Sequence, residues 1–235
     1  MLIAMGLGWG ATQPLGKIAV STGHRHFGLI FWQLMVGVLL LGAILIVQRR
    51  AVPVTRETLT FAVIIALIGT IIPNSTFYYS VAHLPSGIMS ILISTVPLMA
   101  FPVAMMLGMD RFSAGRLAGI LCGLAGVALI ALPGASLPDA GMAAYLPIAM
   151  IGPLFYAFEG NYVAKFGTAG MDAVQAMFLA SAVGAVIMAP VAVGSGQWID
   201  PTLPWGRAEW ALVGRGKAAD GAACRRRWSS PAGRG

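Results

Sequence analysis

Residues 28–48 read Gly-Leu-Ile-Phe-Trp-Gln-Leu-Met-Val-Gly-Val-Leu-Leu-Leu-Gly-Ala-Ile-Leu-Ile-Val-Gln, without one charged side chain. About 20 such residues, wound as a helix, cross a hydrocarbon core of about 30 Å. Inside a bilayer no water satisfies the backbone, so a lone segment of this kind has to be helical. A membrane β-strand would instead alternate apolar and polar residues over about 10 positions. This stretch does not alternate.

The same pattern recurs outward in both directions. Spans are expected at 1–21, 28–48, 58–82, 86–107, 115–133, 143–165 and 172–194. The breaks between them carry charges and turn formers, such as Gln48-Arg49-Arg50, Leu84-Pro85-Ser86-Gly87 and Asp110-Arg111. Only 10% of the chain is charged and 58% is apolar, whereas soluble domains are about 25% charged. The expectation is an all-α, polytopic membrane protein with seven full transmembrane helices and an aborted eighth. The first span has no basic segment ahead of it and is read as a retained helix rather than a cleaved signal. Gly119, Gly123 and Gly126 on the fifth span read as a helix-packing face.

Charge sets the orientation. The second, fourth and sixth loops hold Arg49, Arg50, Arg56, Arg111, Arg116 and Lys165, while the odd loops hold Arg25 and Arg207. The positive-inside rule then places the N-terminus and the even loops in the cytoplasm. The formal net charge of +7 is misleading, because residues 214–235 contain six of the basic residues and a single acidic one. That Gly/Ala/Arg/Ser-rich tail has no apolar period and is expected to be disordered. Nucleic acid is therefore not an expected partner.

Several chemistries find no residues to carry them. Cys122 lies within a span and Cys224 in the tail, with no metal-ligand spacing. No phosphate-binding loop, nucleophile–His–Asp set or carboxylate pair is present, so neither an enzyme nor a cofactor is expected. His24, His26 and His83 fall at loops and read as solvated.

Polar residues within the spans need a reason, since the bilayer makes them expensive. Glu159 is the one carboxylate deep in a span, about 9 Å from its inner end at 1.5 Å per residue. Phe155, Tyr156, Tyr162 and Val163 share its helix face. A carboxylate in that setting suits proton coupling or contact with a cation. Gln13 falls near the midplane, and Asn74 and Gln33 fall in the outer half, with Lys17 snorkelling near the outer end. Pro14 follows Gln13 and Pro73 precedes Asn74, so each amide stands beside a break in the helical ladder. Trp9 and Tyr78 are candidates to line a cavity beside them. The expected substrate-binding set is Gln13, Asn74, Glu159, Trp9 and Tyr78, with no catalytic or metal-binding residue expected. For each amide the plainer reading is an interhelical hydrogen bond.

Five motifs, in order, carry a resemblance. Ala-Met-Gly-Leu-Gly-Trp-Gly-Ala-Thr-Gln-Pro-Leu-Gly-Lys at 4–17 is similar to the opening helix of EamA-like members of the drug/metabolite transporter superfamily. Ile68-Gly69-Thr70, then Tyr78-Tyr79 with Leu84-Pro85-Ser86-Gly87, resembles the third helix of that family and its tight turn. Ser94 to Pro97 resembles the proline-bearing fourth helix, and Gly108 to Gly126 the passage that follows. Gln33 stands where the family often carries Arg, and Met109-Asp110 where it commonly carries Glu.

The resemblance implies ten helices in an inverted five-plus-five repeat. Ile3-Ala4-Met5 with Trp9-Gly10 is echoed by Ile148-Ala149-Met150 with Tyr156-Ala157. The expected division is 1–133 as the first repeat, 143–213 as an incomplete second and 214–235 as the basic tail, of the kind a frameshift would produce. The implied function is a secondary transporter, an exporter of a small polar or amphipathic metabolite across a bacterial inner membrane. Its partners would be the lipid bilayer, the small-molecule substrate and, in a homodimer, a second copy. The alternative is a truncated membrane fragment that inserts without transporting.

Overall fold

A computed structural model describes residues 26–130 and 140–199. The expected span at 1–21, with Trp9, Gln13 and Lys17, lies outside the described residues. So do the aborted eighth span and the tail.

The described chain is helical throughout: α1 His26–Val47, α2 Arg56–Ile65, a π-helical turn Ala66–Ile71, α3 Ile72–His83, α4 Ser86–Ile93, α5 Val96–Met106, α6 Ala114–Ile130, a 3-10 turn Ala140–Tyr145, α7 Leu146–Phe166 and α8 Ala173–Gly194. Among the described residues, five segments are long and apolar enough to cross a membrane: His26–Val47, Arg56–His83, Ser86–Met106, Gly141–Phe166 and Ala173–Gly194. The remaining helix, α6, has a shorter apolar stretch, Ala114–Gly126.

Local chemistry explains the element ends. Thr55 caps α2, accepting from Thr58 N while the Thr58 hydroxyl accepts from Thr55 N. Asp172 caps α8, taking Val174 N at 2.8 Å and Gln175 N at 2.9 Å, and Gln175 answers by accepting from Asp172 N. These reciprocal caps satisfy N–H groups that a helix start leaves unpaired. Gly167, at φ 72°, ends α7 in a backbone region that costs glycine little.

Two expected helices are interrupted. The span expected at 58–82 contains the π-helical turn just before Pro73, where the missing proline N–H leaves the Gly69 carbonyl without its usual donor. The span expected at 86–107 divides at Ser94–Thr95. There both hydroxyls turn back onto carbonyls of their own helix, Ser94 to Ile91 O and Thr95 to Leu92 O, each at 2.6 Å. Hydroxyl back-bonding of this kind bends helices, and Pro97 follows without an N–H of its own.

Packing runs through small residues. α1 lies along α8, with Gly37 against Ser181 and Leu34 seated on Gly184. α7 fits between α3 and α5. Of the three glycines expected to form a packing face on α6, only Gly123 meets a neighbour, the Leu98 side chain; Gly119 and Gly126 face open space. Large apolar side chains point away from the bundle, among them Leu39, Ile46 and Val47 on α1 and Val186 on α8. Lipid tails are as apolar as leucine, so this outer surface fits a bilayer.

The helix ends sort by charge. Arg50 pairs with Asp172 at 2.7 Å, Gln175 donates to Ala51 O, and Lys165 donates to Leu107 O. These contacts join the 48–55, 107–113 and 167–172 connections at one end. Arg49, Arg50, Arg56, Arg111, Arg116 and Lys165, all the Lys and Arg of the described residues, fall there. At the other end Gln197 accepts from Phe27 N, Trp32 donates to Ile199 O, and His83 stacks on Tyr145 with ring centroids 4.2 Å apart.

Candidate functional site

Three helices bring polar side chains into contact, with Asn74 buried, Tyr78 and Tyr156 half-buried and Gln33 exposed. Tyr156 stands ten residues from each end of α7, about 15 Å from either, and so near mid-membrane. Its hydroxyl lies 3.3 Å from Asn74 Oδ1, to which it donates. Asn74 is buried, on the first turn of α3 directly after Pro73. One turn further along α3, Tyr78 donates to Gln33 Oε1 of α1 at 3.2 Å. One turn along α7 in the opposite direction stands Glu159, about 10 Å from the basic end.

The result is a polar track, Glu159–Tyr156–Asn74–Tyr78–Gln33, that steps through about 10 Å of depth, roughly the middle third of the membrane. Glu159 is half-buried, and among the described residues no hydrogen bond or ion pair reaches its carboxylate. It lies against Gly69, in the π-helical turn. A methyl group on Gly69 would sit 2.5 Å from the Glu159 carboxyl carbon, well inside contact distance. Single π-helical turns within α-helices are frequent at functional sites. Gly152 brings α7 close to α3 beside this point, facing Pro73 O and the Thr76 hydroxyl. Asn161 pins α7 to α5 by donating to Ala100 O at 3.0 Å and to Ala157 O at 2.9 Å.

Near the basic end a cavity of about 270 Å³ opens one helical turn from Glu159. Arg56, Phe61, Tyr162 and Phe166 line it. Tyr162 packs toward Phe61 and Phe166 there. The aromatic wall expected around Glu159 therefore divides, with Tyr156 turning to Asn74 and Tyr162 to this cavity.

Of the expected residues, Asn74, Tyr78 and Glu159 fall on one track, while Trp9 and Gln13 lie outside the described residues. Gln33 joins through Tyr78. In the sequence Gly69 stands out only within the Ile68-Gly69-Thr70 motif, although its place four residues before Pro73 marks a carbonyl that loses its donor. The sequence marks Tyr156 as a neighbour of Glu159 and as the echo of Trp9; its hydrogen bond to another helix has no signal there. Among the described residues no cluster of His, Cys, Asp and Glu suits a metal ion.

No curated protein matches the chain, and no solved structure matches it. A family model does: that of the EamA-like transporter family, over residues 1–132. The match spans more than half of the 235 residues and runs through α1 to α6, including Gly69, Asn74 and Tyr78. With its apolar helices, charge-sorted ends and membrane-embedded polar track, the chain belongs to the EamA-like transporter family, a family of membrane transporters within the drug/metabolite superfamily.

Proposed function

We propose that this chain is a secondary transporter that exports a small polar or amphipathic metabolite, with the solute passing along the Glu159–Tyr156–Asn74–Tyr78–Gln33 track. The single observation behind this reading is the track itself: amides, phenols and one carboxylate without an ion pair among the described residues, where lipid-facing helices would carry none. Neutral hydrogen-bonding groups at mid-membrane suit a polar solute. The Glu159 carboxylate suits a proton or the cationic group of an amine. In this reading Trp9 and Gln13 of the first span complete the site. Residues 1–133 form one five-helix repeat and 143–213 belong to a second, inverted one. Inverted repeats place solute sites near the midplane at the repeat interface.

The gathering of six basic side chains at one end supports a cytoplasmic location for that end and for the N-terminus, in a bacterial inner membrane. A reporter fused after Arg50 would then be cytoplasmic and one fused after Asp139 external; the reverse labelling would overturn the orientation.

The transport reading is tested in vesicles that contain only this chain and a trapped pH dye. Small amines and neutral amino acids are presented one at a time as outward and inward gradients. Solute-dependent proton movement, lost in Glu159→Gln at unchanged protein level, is the expected result. A chain that inserts and stays folded, yet moves none of these solutes, would favour the alternative reading of a non-transporting membrane fragment.

A further inference from the structure

A second feature at the basic end has no part in the track. Between the last turns of α1 and the start of α8 runs a groove of about 390 Å³, lined by Gly42, Leu45, Ile46 and Phe178 below and by Arg49 and Arg50 at its mouth. It exists because Gly42 has no side chain: a methyl group there would meet Phe178 Cε2 at 3.1 Å. Gly42 lies five residues inside the end of α1, about 8 Å deep, so the groove floor sits at the depth of lipid tails. Ile46 and Val47 beside it are 78% and 83% exposed, so the groove opens sideways toward lipid.

The mouth is built for an anion. Arg49 takes φ 52°, the left-handed conformation that ends helices and ordinarily falls to glycine. It makes no ion pair with any described residue. Arg50 is held in place through Asp172, which engages one terminal nitrogen and leaves other guanidinium donors. Gln175 fixes the backbone just beyond by donating to Ala51 O at 2.7 Å. One guanidinium held by Asp172 and a second without an ion pair among the described residues, above an apolar slot at the water–lipid boundary, match a phosphate with an acyl chain beneath it.

We propose that the groove between α1 and α8 binds an anionic diacyl phospholipid, with its phosphate on Arg49 and Arg50 and one acyl chain along Gly42, Leu45 and Phe178. The site does not depend on the transport reading.

Native mass spectrometry of the whole chain in neutral detergent tests it, with phosphatidylglycerol and phosphatidylcholine of identical chains offered in equal amounts. The wild type is expected to retain the anionic lipid about fivefold over the zwitterionic one, the preference one basic residue near the surface confers. Arg49→Gly suits the backbone conformation, so its melting temperature should hold or rise while the preference falls toward unity. Gly42→Leu fills the slot and should reduce retention of both lipids. Equal retention of the two lipids by the wild type, or an unaltered preference in Arg49→Gly, would overturn the proposal. Displacement of the lipid by millimolar glycerol phosphate would also overturn it, because it would show a site for a soluble anion with no use for the acyl chain.

Discussion

The carboxyl group of Glu159 rests against the bare Cα of Gly69, across the contact between α7 and the π-helical turn that precedes α3. Nothing larger than hydrogen fits at Gly69 while the carboxylate keeps this place. The two positions are 90 residues apart, yet each limits the other. Gly69→Ala is expected to displace the carboxylate and reduce transport about tenfold, the kinetic equivalent of the roughly 1–3 kcal/mol that overpacking a filled site costs. Shortening the partner should relieve the clash, so Gly69→Ala with Glu159→Asp should transport better than Gly69→Ala alone. Solute flux in vesicles, measured for all four members of the cycle, checks this. Strictly additive losses would show that the contact plays no part.

Tyr156→Phe removes the donor to Asn74 Oδ1 and leaves the ring. Interhelical hydrogen bonds within membranes average about 0.6 kcal/mol, so thermal stability should change by no more than about that amount. A solute that hydrogen-bonds in the track should nevertheless lose affinity, seen as a higher KM with little change in kcat. A large drop in melting temperature with unchanged KM would make the pair purely structural.

Asp172 lies just outside its span, at the water boundary. Its carboxylate is held below the usual range, first by the Gln175 backbone N–H; desolvation is the next largest effect and opposes it, while the Arg50 side chain and the Val174 N–H add to the lowering. A lowered value in the folded state means the unfolded chain binds this proton more readily. The contribution to stability is therefore complete above the unfolded value, about 3.9, and disappears as pH falls through the folded one. Melting temperatures of the wild type and Asp172→Asn should differ at pH 7 and converge in the acid range below about pH 4. A difference that grows in acid would contradict the assignment.

Helix positions were legible in the sequence because the bilayer demands long apolar runs, and Leu, Val, Ile and Gly supply them plainly between 28 and 48 and between 172 and 194. The internal breaks were less legible. Pro73 announced a fault in its ladder, but local sequence does not record whether the chain kinks or widens there. The Ser94–Thr95 break rests on hydroxyls turning back to their own carbonyls, a choice that hydropathy does not record. Asn74, Tyr78 and Glu159 stood out because polarity in a span is costly. The bonds of Asn74 to Tyr156 and of Tyr78 to Gln33 join helices far apart in the chain, and no local pattern encodes which helices meet. Gly119 and Gly126 show the converse: small residues permit close packing without requiring it.

The central claim is that the track lies open to water and solute rather than sealed within lipid-packed helices. Single cysteines test it without knowledge of the solute. In a background with Cys122→Ser and Cys224→Ser, the substitutions Gln33→Cys, Asn74→Cys and Glu159→Cys are each exposed to a charged, membrane-impermeant methanethiosulfonate reagent, with the lipid-facing Leu39→Cys as control. The expected result is labelling at all three track positions, with Gln33→Cys and Glu159→Cys favouring reagent from opposite sides, and none at Leu39→Cys. Track cysteines as inert as the control from both sides would contradict the account.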